Sequence, residues 1–496
     1  MKQKKLFLII SILFSCGLYA QKETANWFFG YDAGLDFINT QTLGGVNNVP
    51  TYKAGPVSTL EGCFTVSDKD GNFMFASDGV TIHNSTFSVM DNGSGLKGHW
   101  SAVQSGIVVP VPGSSSLYYV ITSSATDQVR NGINYNIVDM NENGGLGKVI
   151  LKNQALDLGG FANTDMYENI SVVGHKNNTD YWLVHRGTRY FFVWKITASG
   201  FSVPQTFDTG LNQGQHYASN NYNAGMGSIK FSPDGTKVIH CDARSQVYPY
   251  LTFADFDAQT GSISNIKSIR SNIVGLYGVE FSPNGECVYI ATHPGASSQR
   301  GLYITHVDNL VEPSITLTRA LASITNVQLA VDGRIYAIAT GSRSLWTILD
   351  PDDGGTQIST FTNFFPSTGT VGQGLPSFIT SFFTFGNIET DPRLPACIDK
   401  EISFSVQIAS LGTGENKIAK LEWNFGDGSP IVEEPDMSKY IFVQKHTYSK
   451  PGKYNLTLTP YKSDGAVLTN KIKTLEVKIS RCIMPVNHNV SVMGYN

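Results

Sequence analysis

The sequence contains few charged residues and no surplus of positive charge. Of its 496 residues, 15% are charged, whereas roughly a quarter is usual for soluble proteins. Lys and Arg number 36 against 40 Asp and Glu, so the formal net charge is −4. The chain therefore lacks the basic excess that neutralises a phosphate backbone, and we expect no nucleic acid among its partners.

Long apolar runs and helical periodicity are also missing. Beyond the N-terminus, no segment approaches the roughly 20 apolar residues that cross a bilayer, so we expect no transmembrane span. Nor does the spacing typical of an amphipathic helix persist anywhere in the sequence. The chain is instead rich in Gly (49 residues), with 41% hydrophobic and 11% aromatic residues. This composition predicts a large core built from strands and turns.

The first 20 residues have the features of an export signal. Met1–Lys5 holds three lysines, Leu6–Phe14 is almost entirely apolar, and Ala20 is a small residue suited to cleavage. We predict that residues 1–20 are a signal peptide, whose removal leaves a net charge of −7 because three lysines are lost. The alternative is a lipid anchor at Cys16, which ends a Leu-Phe-Ser-Cys box. Either way we expect an exported protein, extracellular or on the outer-membrane surface, with the periplasm as the alternative.

Five cysteines remain after the signal, and an odd number cannot pair completely within one chain. Cys397 and Cys482 bracket the last part of the sequence, and an oxidising location permits a disulfide between them. Cys63, Cys241 and Cys287 lie within apolar strand patterns. We interpret these three as small buried hydrophobic residues rather than as metal ligands or nucleophiles.

A repeated unit occupies the middle of the chain. Residues 229–240 and 279–290 share a Phe-Ser-Pro-Asp/Asn-Gly core between two apolar segments, and residues 327–338 are a degenerate third copy. Pro sets the first turn position and Gly accepts a positive φ before the return strand, so each unit predicts a β-hairpin. Similar hairpins are predicted at three earlier places: Phe64–Ser77, Ile107–Thr122 and Ser171–Arg186.

Repeats of roughly 40 to 50 residues that contain several short strands and no helix are typical of a β-propeller. The six hairpins give six blades, and the ends supply a seventh. We expect Trp27–Gly30 and Leu35–Phe37 to combine with Leu345–Leu349 and Phe378–Phe385, which would close the ring by strand exchange. The predicted fold class is therefore all-β: a seven-bladed β-propeller over residues 21–390.

The last hundred residues change character and indicate an antiparallel β-sandwich over residues 391–482, followed by a tail at 483–496. Trp423-Asn424-Phe425-Gly426-Asp427-Gly428, followed by His446-Thr447-Tyr448 and Gly452-Lys453-Tyr454, resembles the PKD domain, an immunoglobulin-like sandwich. This resemblance implies a spacer or a weak binding module rather than a catalyst.

The N-terminal part resembles the propeller of PKD-containing surface proteins from gliding bacteria that use type IX secretion. The segments that carry this resemblance are Ala25–Gly30, Ala33–Phe37, Glu61–Cys63, Ser77–Gly79, Val138–Met140, Asn143–Gly147, Tyr277–Pro283 and Gly374–Phe378. In that family a C-terminal sorting domain usually follows the PKD domain, and it is missing from this sequence. That absence prompts the hypothesis that another cell-surface or outer-membrane protein is a partner, and a glycan is the alternative ligand.

The sequence holds no motif that specifies catalysis, a cofactor or a metal. Gly93–Gly98 matches G-x-G-x-x-G, but it lies in a glycine-rich loop with no helix predicted after it, and we interpret it as a turn. Asp68–Asn72 has closely spaced oxygens without the glycine and glutamate positions of a calcium loop, so a hairpin turn is favoured. The ten histidines include no H-E-x-x-H, and no G-x-S-x-G is present.

Two functional hypotheses follow. The first is a non-catalytic interaction or adhesion protein, in which the propeller is the binding platform. Its only ligand-contact candidates are three residues that lie beside aromatic residues: His185, Arg186 and Arg189. The competing interpretation is that these three residues belong to a solvated loop end. The second is a hydrolase, since Phe231–Gly235 and Phe253–Asp257 also resemble lactonase-type propellers, whose chemistry lies in the central channel. A channel filled by apolar or small side chains would contradict the second hypothesis.

Overall fold

The computed structural model describes residues 22–211, 225–242, 250–383, 385–390, 396–408, 417–437 and 441–481. Strands, turns and seven short 3-10 segments make up these ranges, which contain no α-helix. The 3-10 segments are Asn143–Gly145, Asn163–Asp165, Pro294–Gln299, Val307–Asn309, Pro351–Asp353, Thr380–Phe383 and Thr469–Lys471. Within the same ranges, no helix is long and apolar enough to cross a membrane.

The first half of the propeller consists of four blades of antiparallel strands, of which the second and third are joined into one sheet by a single parallel pairing of Lys148 with Asp91. Blade 1 is β1 (Asn26–Phe29), β2 (Ala33–Leu43) and β3 (Val46–Tyr52). Blade 2 is β4 (Phe64–Ser67), β5 (Phe73–Ser77), β6 (Thr81–Asn84) and β7 (Val89–Ser94). Blade 3 is β8 (Gly106–Pro110), β9 (Leu117–Ser123), β10 (Ile133–Asp139) and β11 (Lys148–Ala155). Blade 4 is β12 (Ser171–Gly174), β13 (Tyr181–Arg186), β14 (Tyr190–Thr197), β15 (Gly200–Phe201) and β16 (Gln205–Asp208).

Three further blades complete the ring of seven. Blade 5 is β17 (Ile229–Phe231), β18 (Lys237–Asp242), β19 (Tyr250–Asp257) and β20 (Ser262–Ser271), with β24 (Ser314–Ile315) at its outer edge. Blade 6 is β21 (Leu276–Phe281), β22 (Cys287–Thr292), β23 (Gly301–His306) and β25 (Thr318–Ala322). Blade 7 is β26 (Asn326–Leu329), β27 (Ile335–Ile338), β28 (Leu345–Ile348) and β29 (Ile358–Phe361).

All six hairpins predicted from the sequence form the first two strands of blades 2 to 7. In the repeated unit, Gly235, Gly285 and Gly333 have φ values of 68°, 76° and 77°. Glycine adopts this left-handed backbone conformation without steric strain because it has no Cβ, which explains why the turn of each unit ends with glycine. The first strands of blades 2 to 7, β4, β8, β12, β17, β21 and β26, contact one another in order and form the inner ring, and β1 lies against β4.

Ring closure differs from the prediction. Leu345–Ile348 is the third strand of blade 7, in register with β27, so that blade has no vacant position for an N-terminal strand. Thr380–Phe383 forms a 3-10 turn rather than a strand. The two ends still meet, because Thr370 bridges to Tyr31 and Ser377 bridges to Phe64 in blade 2. Blade 1 therefore consists of N-terminal strands alone, with the 370–377 segment along its inner side.

The C-terminal part folds as a β-sandwich. One sheet contains β30 (Phe385–Thr390), β31 (Glu401–Ile408) and β34 (Ile441–Thr447). The other contains β32 (Lys420–Asn424), β33 (Val432–Glu434), β35 (Gly452–Tyr461) and β36 (Lys473–Ile479). The strand β30 precedes the predicted boundary at residue 391, yet it pairs with β31 and so belongs to the sandwich sheet.

The sequence motif of this sandwich is explained by its packing. Trp423 and Phe425 are buried in the core. The Tyr448 hydroxyl donates a hydrogen bond to the Phe425 carbonyl at 3.1 Å, and His446 Nε2 lies 2.7 Å from Asp427 Oδ2. The His446 ring also stacks on Phe425. The motif residues thus join two strands and a turn, which is a structural role.

The cysteines within the propeller are buried and free. Burial raises the pKa of Cys63, Cys241 and Cys287, which keeps the thiols protonated and unreactive. Cys397 is also buried and forms a parallel bridge with Ser480. Cys482 lies outside the described residues, so its disulfide with Cys397 stays a prediction.

Candidate functional site at one end of the propeller channel

The ligand-contact candidates identified from the sequence do not form one site. His185 is fully buried; its Nε2 accepts a hydrogen bond from the Tyr167 N–H at 3.0 Å, and its Nδ1 lies 2.5 Å from the Asn169 carbonyl. Burial lowers the pKa of His185 to about 3, so the ring is neutral at physiological pH. His185 is therefore placed as a core histidine with both ring nitrogens in use.

The two arginines differ in exposure. Arg186 is buried and donates to the Gly187 carbonyl and to Thr209 Oγ1, the latter at 3.0 Å. Arg189 lies at the surface, where it pairs with Asp208 at 2.5 Å. An exposed pair of this kind contributes little stability. That these residues contact a ligand stays a prediction.

A different group of side chains converges at the end of the channel where the inner strands begin. Glu61 lies three residues before β4, Glu168 lies three residues before β12, and Tyr277 is the second residue of β21. Ser105 immediately precedes β8. The segments that precede β4, β8 and β12 lie side by side: a Cβ on Gly62 would lie 2.4 Å from the Ser105 N, and the Gln104 N–H donates to the Glu168 carbonyl. We call this group, together with Thr126 and Gln373, the mouth cluster.

Glu61 is a buried acid with an unsatisfied oxygen. It is 3% exposed, and its Oε2 has no hydrogen-bond partner among the described residues. Two contacts fix the backbone of Glu61. Its N–H donates to the Trp100 carbonyl at 3.2 Å. Its carbonyl oxygen lies so close to Gly374 that a Cβ at that glycine would approach the oxygen to 2.0 Å. Burial, with a smaller effect from the charge of Asp127, raises the pKa of Glu61 to about 8, although the Tyr277 hydroxyl opposes that shift.

Glu168 faces the same space. It is 1% exposed; its Oε2 accepts a hydrogen bond from the Thr126 N–H at 3.2 Å, while its Oε1 has no partner in the described part of the chain. Burial and the negative charge of Glu61 raise the pKa of Glu168 well above its usual value. The two carboxyls thus interact with each other and are kept from ionising together in the absence of a cation.

Four further buried oxygens of the mouth cluster have no hydrogen-bond partner within the described ranges: Ser105 Oγ, Thr126 Oγ1, the Tyr277 hydroxyl oxygen and Gln373 Oε1. Their chain segments are tied to the acids. The N–H of Gln104 donates to the Glu168 carbonyl at 3.1 Å, and the N–H of Gln373 donates to the Leu60 carbonyl at 2.5 Å. Unsatisfied polar atoms are rare inside proteins, so a group of them at one place points to an absent ligand.

Exposed apolar side chains surround the mouth. Trp100, whose carbonyl binds the Glu61 N–H, is 44% exposed and stacks with His99. Tyr31 is 41% exposed and bridges to Thr370. Val129, close in sequence to Thr126, is 79% exposed. This end of the propeller therefore combines a buried polar floor with an exposed apolar rim, as ligand sites do.

Deeper in the channel, a second charged group is fully satisfied. Lys230 Nζ lies 3.0 Å from Glu280 Oε2 and 2.6 Å from Gln328 Oε1, and Glu280 also accepts the Leu329 N–H at 3.1 Å. These residues come from the inner strands of blades 5, 6 and 7, so the contact between Lys230 and Gln328 crosses the channel. The channel is therefore not filled by apolar or small side chains alone, and the hydrolase hypothesis is not contradicted.

Comparison with known proteins identifies the C-terminal sandwich. Residues 388–479 match the profile of the PKD domain family. The sandwich is a PKD domain. No curated protein matches the chain.

Solved structures similar to this chain include propellers at low identity. A candidate 6-phosphogluconolactonase from Bacteroides uniformis is 13% identical over 70% of this chain and 98% of that chain, with a TM-score of 0.42. A second, from Bacteroides fragilis, is 10% identical over 71% of this chain and 97% of that chain, with a TM-score of 0.44. The extracellular domain of a candidate one component system from B. thetaiotaomicron is 10% identical over 92% of this chain and 56% of that chain, with a TM-score of 0.36.

Proposed function

We propose that this chain is an exported binding protein in which the propeller carries the ligand site and the PKD domain is a spacer. The observation that carries the proposal is the combination at the channel mouth of a buried polar floor with exposed Trp100 and Tyr31. Aromatic rings offer apolar faces on which a sugar ring stacks, while carboxyl and hydroxyl groups accept and donate hydrogen bonds to its hydroxyls. A glycan is therefore the ligand that this chemistry favours.

Location and partners form part of the same proposal. The predicted signal at residues 1–20 supports export to the cell surface or the medium, with the periplasm as the alternative. The resemblance to surface proteins of gliding bacteria supports an accessory role beside the gliding or type IX secretion machinery, with another outer-membrane protein as a further partner. Fractionation of the native cells, followed by capture of the mature protein with its bound material, tests both statements.

The glycan proposal is tested by binding to a panel of immobilised polysaccharides. Trp100→Ala is expected to weaken binding at least tenfold, because stacking on its ring is lost. Ile150→Ala is the control, since Ile150 is similarly exposed (49%) but lies on the outer strand of blade 3. Absence of binding to every polysaccharide, or equal binding by both variants, would contradict the proposal.

A second function is favoured by one observation, the convergence of Glu61 and Glu168 in the channel. Two carboxyls with raised pKa values can act as general acid and general base, and a lactonase-type hydrolase would use such a pair. Turnover of lactone and ester substrates by the wild type, lost in both Glu61→Gln and Glu168→Gln, would support this alternative. Turnover that is absent, or is unchanged in both variants, would exclude these residues as its catalysts.

A further inference from the structure

We propose that the mouth cluster is a binding site for a divalent cation of the calcium type, with Glu61 Oε2, Glu168 Oε1, Ser105 Oγ, Thr126 Oγ1 and Gln373 Oε1 as its protein ligands. This inference does not rest on the proposed function. It starts from five buried oxygen atoms that have no hydrogen-bond partner in the described part of the chain.

The charge of the site calls for a cation. Glu61 and Glu168 are 3% and 1% exposed, and burying two carboxylates without a counter-charge is costly. Arg130 is the basic group that acts on Glu168, but its guanidinium donates to the carbonyls of Thr126 and Thr164 instead of to the carboxylate. A proton could neutralise one acid, but it would leave the neighbouring oxygens unsatisfied. A divalent cation neutralises both acids and accepts electron pairs from all five atoms.

The uncharged hydroxyl groups of Ser105 and Thr126 add further oxygen ligands to the two carboxyls. Ser105 is fully buried and Thr126 is 8% exposed, and the hydroxyl of each has no partner among the described residues. Thr126 also donates its N–H to Glu168 Oε2, which holds its side chain beside that carboxylate. A Cβ added to Gly62 would meet the Ser105 N at 2.4 Å, so Ser105 packs directly against the residue after Glu61.

The donor atoms select the class of metal. All five are oxygens, and carboxylate, amide and hydroxyl oxygens suit hard cations rather than zinc or copper. Magnesium requires near-ideal octahedral geometry and usually keeps several waters, whereas calcium accepts six to eight oxygens in a flexible arrangement. A buried site built from five separate loops is therefore better suited to calcium.

A cation at this site would link the beginning and the end of the propeller sequence. Glu61 precedes blade 2, Thr126 lies after β9 in blade 3, Glu168 precedes blade 4, and Gln373 follows blade 7. Ligands from both ends of the propeller sequence would be held by one ion. Calcium binding is then expected to raise the melting temperature of the propeller, as for any ligand that binds only the folded state.

The test uses the mature full-length protein, first stripped with a chelator. Calorimetric titration with CaCl2 is expected to give one site, and Tb³⁺ is expected to show luminescence on excitation of tyrosine, since Tyr277 lies at the cluster. Glu61→Gln and Glu168→Gln should each lower calcium affinity at least about tenfold, which corresponds to about 1.4 kcal/mol. Glu142→Gln is the control, because Glu142 is an exposed acid in a turn of blade 3.

Several results would overturn the proposal. One is the absence of calcium heat and of Tb³⁺ luminescence with the wild type, which requires no variant to fold. Another is affinity that is unchanged in both Gln variants while their melting curves remain cooperative. Thr126→Val, which keeps the side-chain shape, should weaken calcium binding while Thr126→Ser retains it; equal binding by the two would remove Thr126 from the site. Polysaccharide binding measured separately keeps this result distinct from the proposed glycan function.

Discussion

At the scale of single residues, the acids of this chain fall into two groups according to what neutralises them. Glu280 is buried but has the ammonium of Lys230 at 3.0 Å as its counter-charge. Glu61 and Glu168 are equally buried and face each other and the charge of Asp127, while Arg130, the basic group that acts on Glu168, donates to backbone carbonyls instead. Their raised pKa values are the electrostatic result of that difference, and they make the mouth cluster sensitive to pH and to cations.

The first prediction concerns pH in the absence of metal. The pKa of Glu61 is about 8 in the folded chain against 4.5 for the free group, so between these values the folded state holds a proton that the unfolded state has lost. The unfolding free energy should therefore fall as pH rises from about 4.5 to 8, by on the order of a few kcal/mol. Glu61→Gln should flatten this dependence, as measured by thermal melting in chelator at several pH values.

Calcium should reverse this trend, because the metal binds the ionised carboxylates. In excess calcium, the melting temperature of the wild type is expected to rise over the same pH range. Parallel pH profiles for the wild type and Glu61→Gln in chelator would show that Glu61 is not the titrating group.

At the scale of secondary-structure elements, the inner strands decide what the channel contains. β17, β21 and β26 occupy equivalent positions in consecutive blades and place Glu280 and Gln328 within hydrogen-bond distance of the Lys230 ammonium. A buried ion pair contributes little net stability, but the loss of one partner leaves an uncompensated charge. The loss of stability caused by a substitution of Lys230 or Glu280 therefore depends on whether the remaining partner keeps an uncompensated charge.

The second prediction follows from this asymmetry. Lys230→Met should reduce the unfolding free energy by about 3–5 kcal/mol, because Glu280 loses its counter-charge. Adding Glu280→Gln to that variant should restore part of the loss. Lys237→Met is the matched control: its partner Asp255 is 34% exposed, so the expected loss is at most about 1 kcal/mol. Denaturant unfolding measures these three variants and the single Glu280→Gln, and a loss in the double variant equal to the sum of the losses in Lys230→Met and Glu280→Gln would exclude coupling.

Hairpins were predictable from the sequence where the residues of the turn, such as Pro, Asp and Gly, specify its conformation. The Ser-Pro-Asp-Gly turn at 232–235 requires a positive φ at its glycine, and the neighbouring apolar segments have no alternative but to pair. Closure of the ring was not predictable, since the strand Leu345–Ile348 fits either of two blades by pattern alone. The mouth cluster escaped the sequence analysis for a similar reason: Glu61 and Glu168 lie in loops 107 residues apart and match no motif.

The third prediction concerns the end of the PKD domain. Cys397 bridges to Ser480, and the N–H of Ile398 donates to the Ser480 carbonyl at 3.0 Å, so Cys482 follows two residues after a point of contact. Peptide mapping without reductant should find Cys397 linked to Cys482. Loss of this link in Cys482→Ser should cost roughly 4 kcal/mol of PKD-domain stability, given the long loop that it closes. Recovery of both residues as free thiols from the exported protein would refute the link.

At the scale of the whole molecule, the two ends of the propeller meet without exchanging strands between blades 1 and 7. Aromatic packing takes the place of shared hydrogen bonds: the Tyr336 ring on β27 lies 6.0 Å from Trp27 and 5.3 Å from Phe37 between ring centroids. Phe378, which follows the 370–377 segment, lies 5.8 Å from Trp27. These side chains belong to one continuous core, so the ring is closed mainly by burial of apolar surface.

The last prediction tests that closure with two equivalent tyrosines of the repeated unit. Tyr336 lies between blades 7 and 1, whereas Tyr289 occupies the matching position in blade 6 and donates to the Pro351 carbonyl at 2.7 Å. Both Leu variants should lose a few kcal/mol of stability, because each removes a buried ring. Only Tyr336→Leu should also speed hydrogen exchange in β1 and β2, since the Tyr336 ring packs directly on Trp27 and Phe37 of these strands. Equal exchange of these strands in the two variants would mean that the 370–377 segment, rather than aromatic packing, closes the ring.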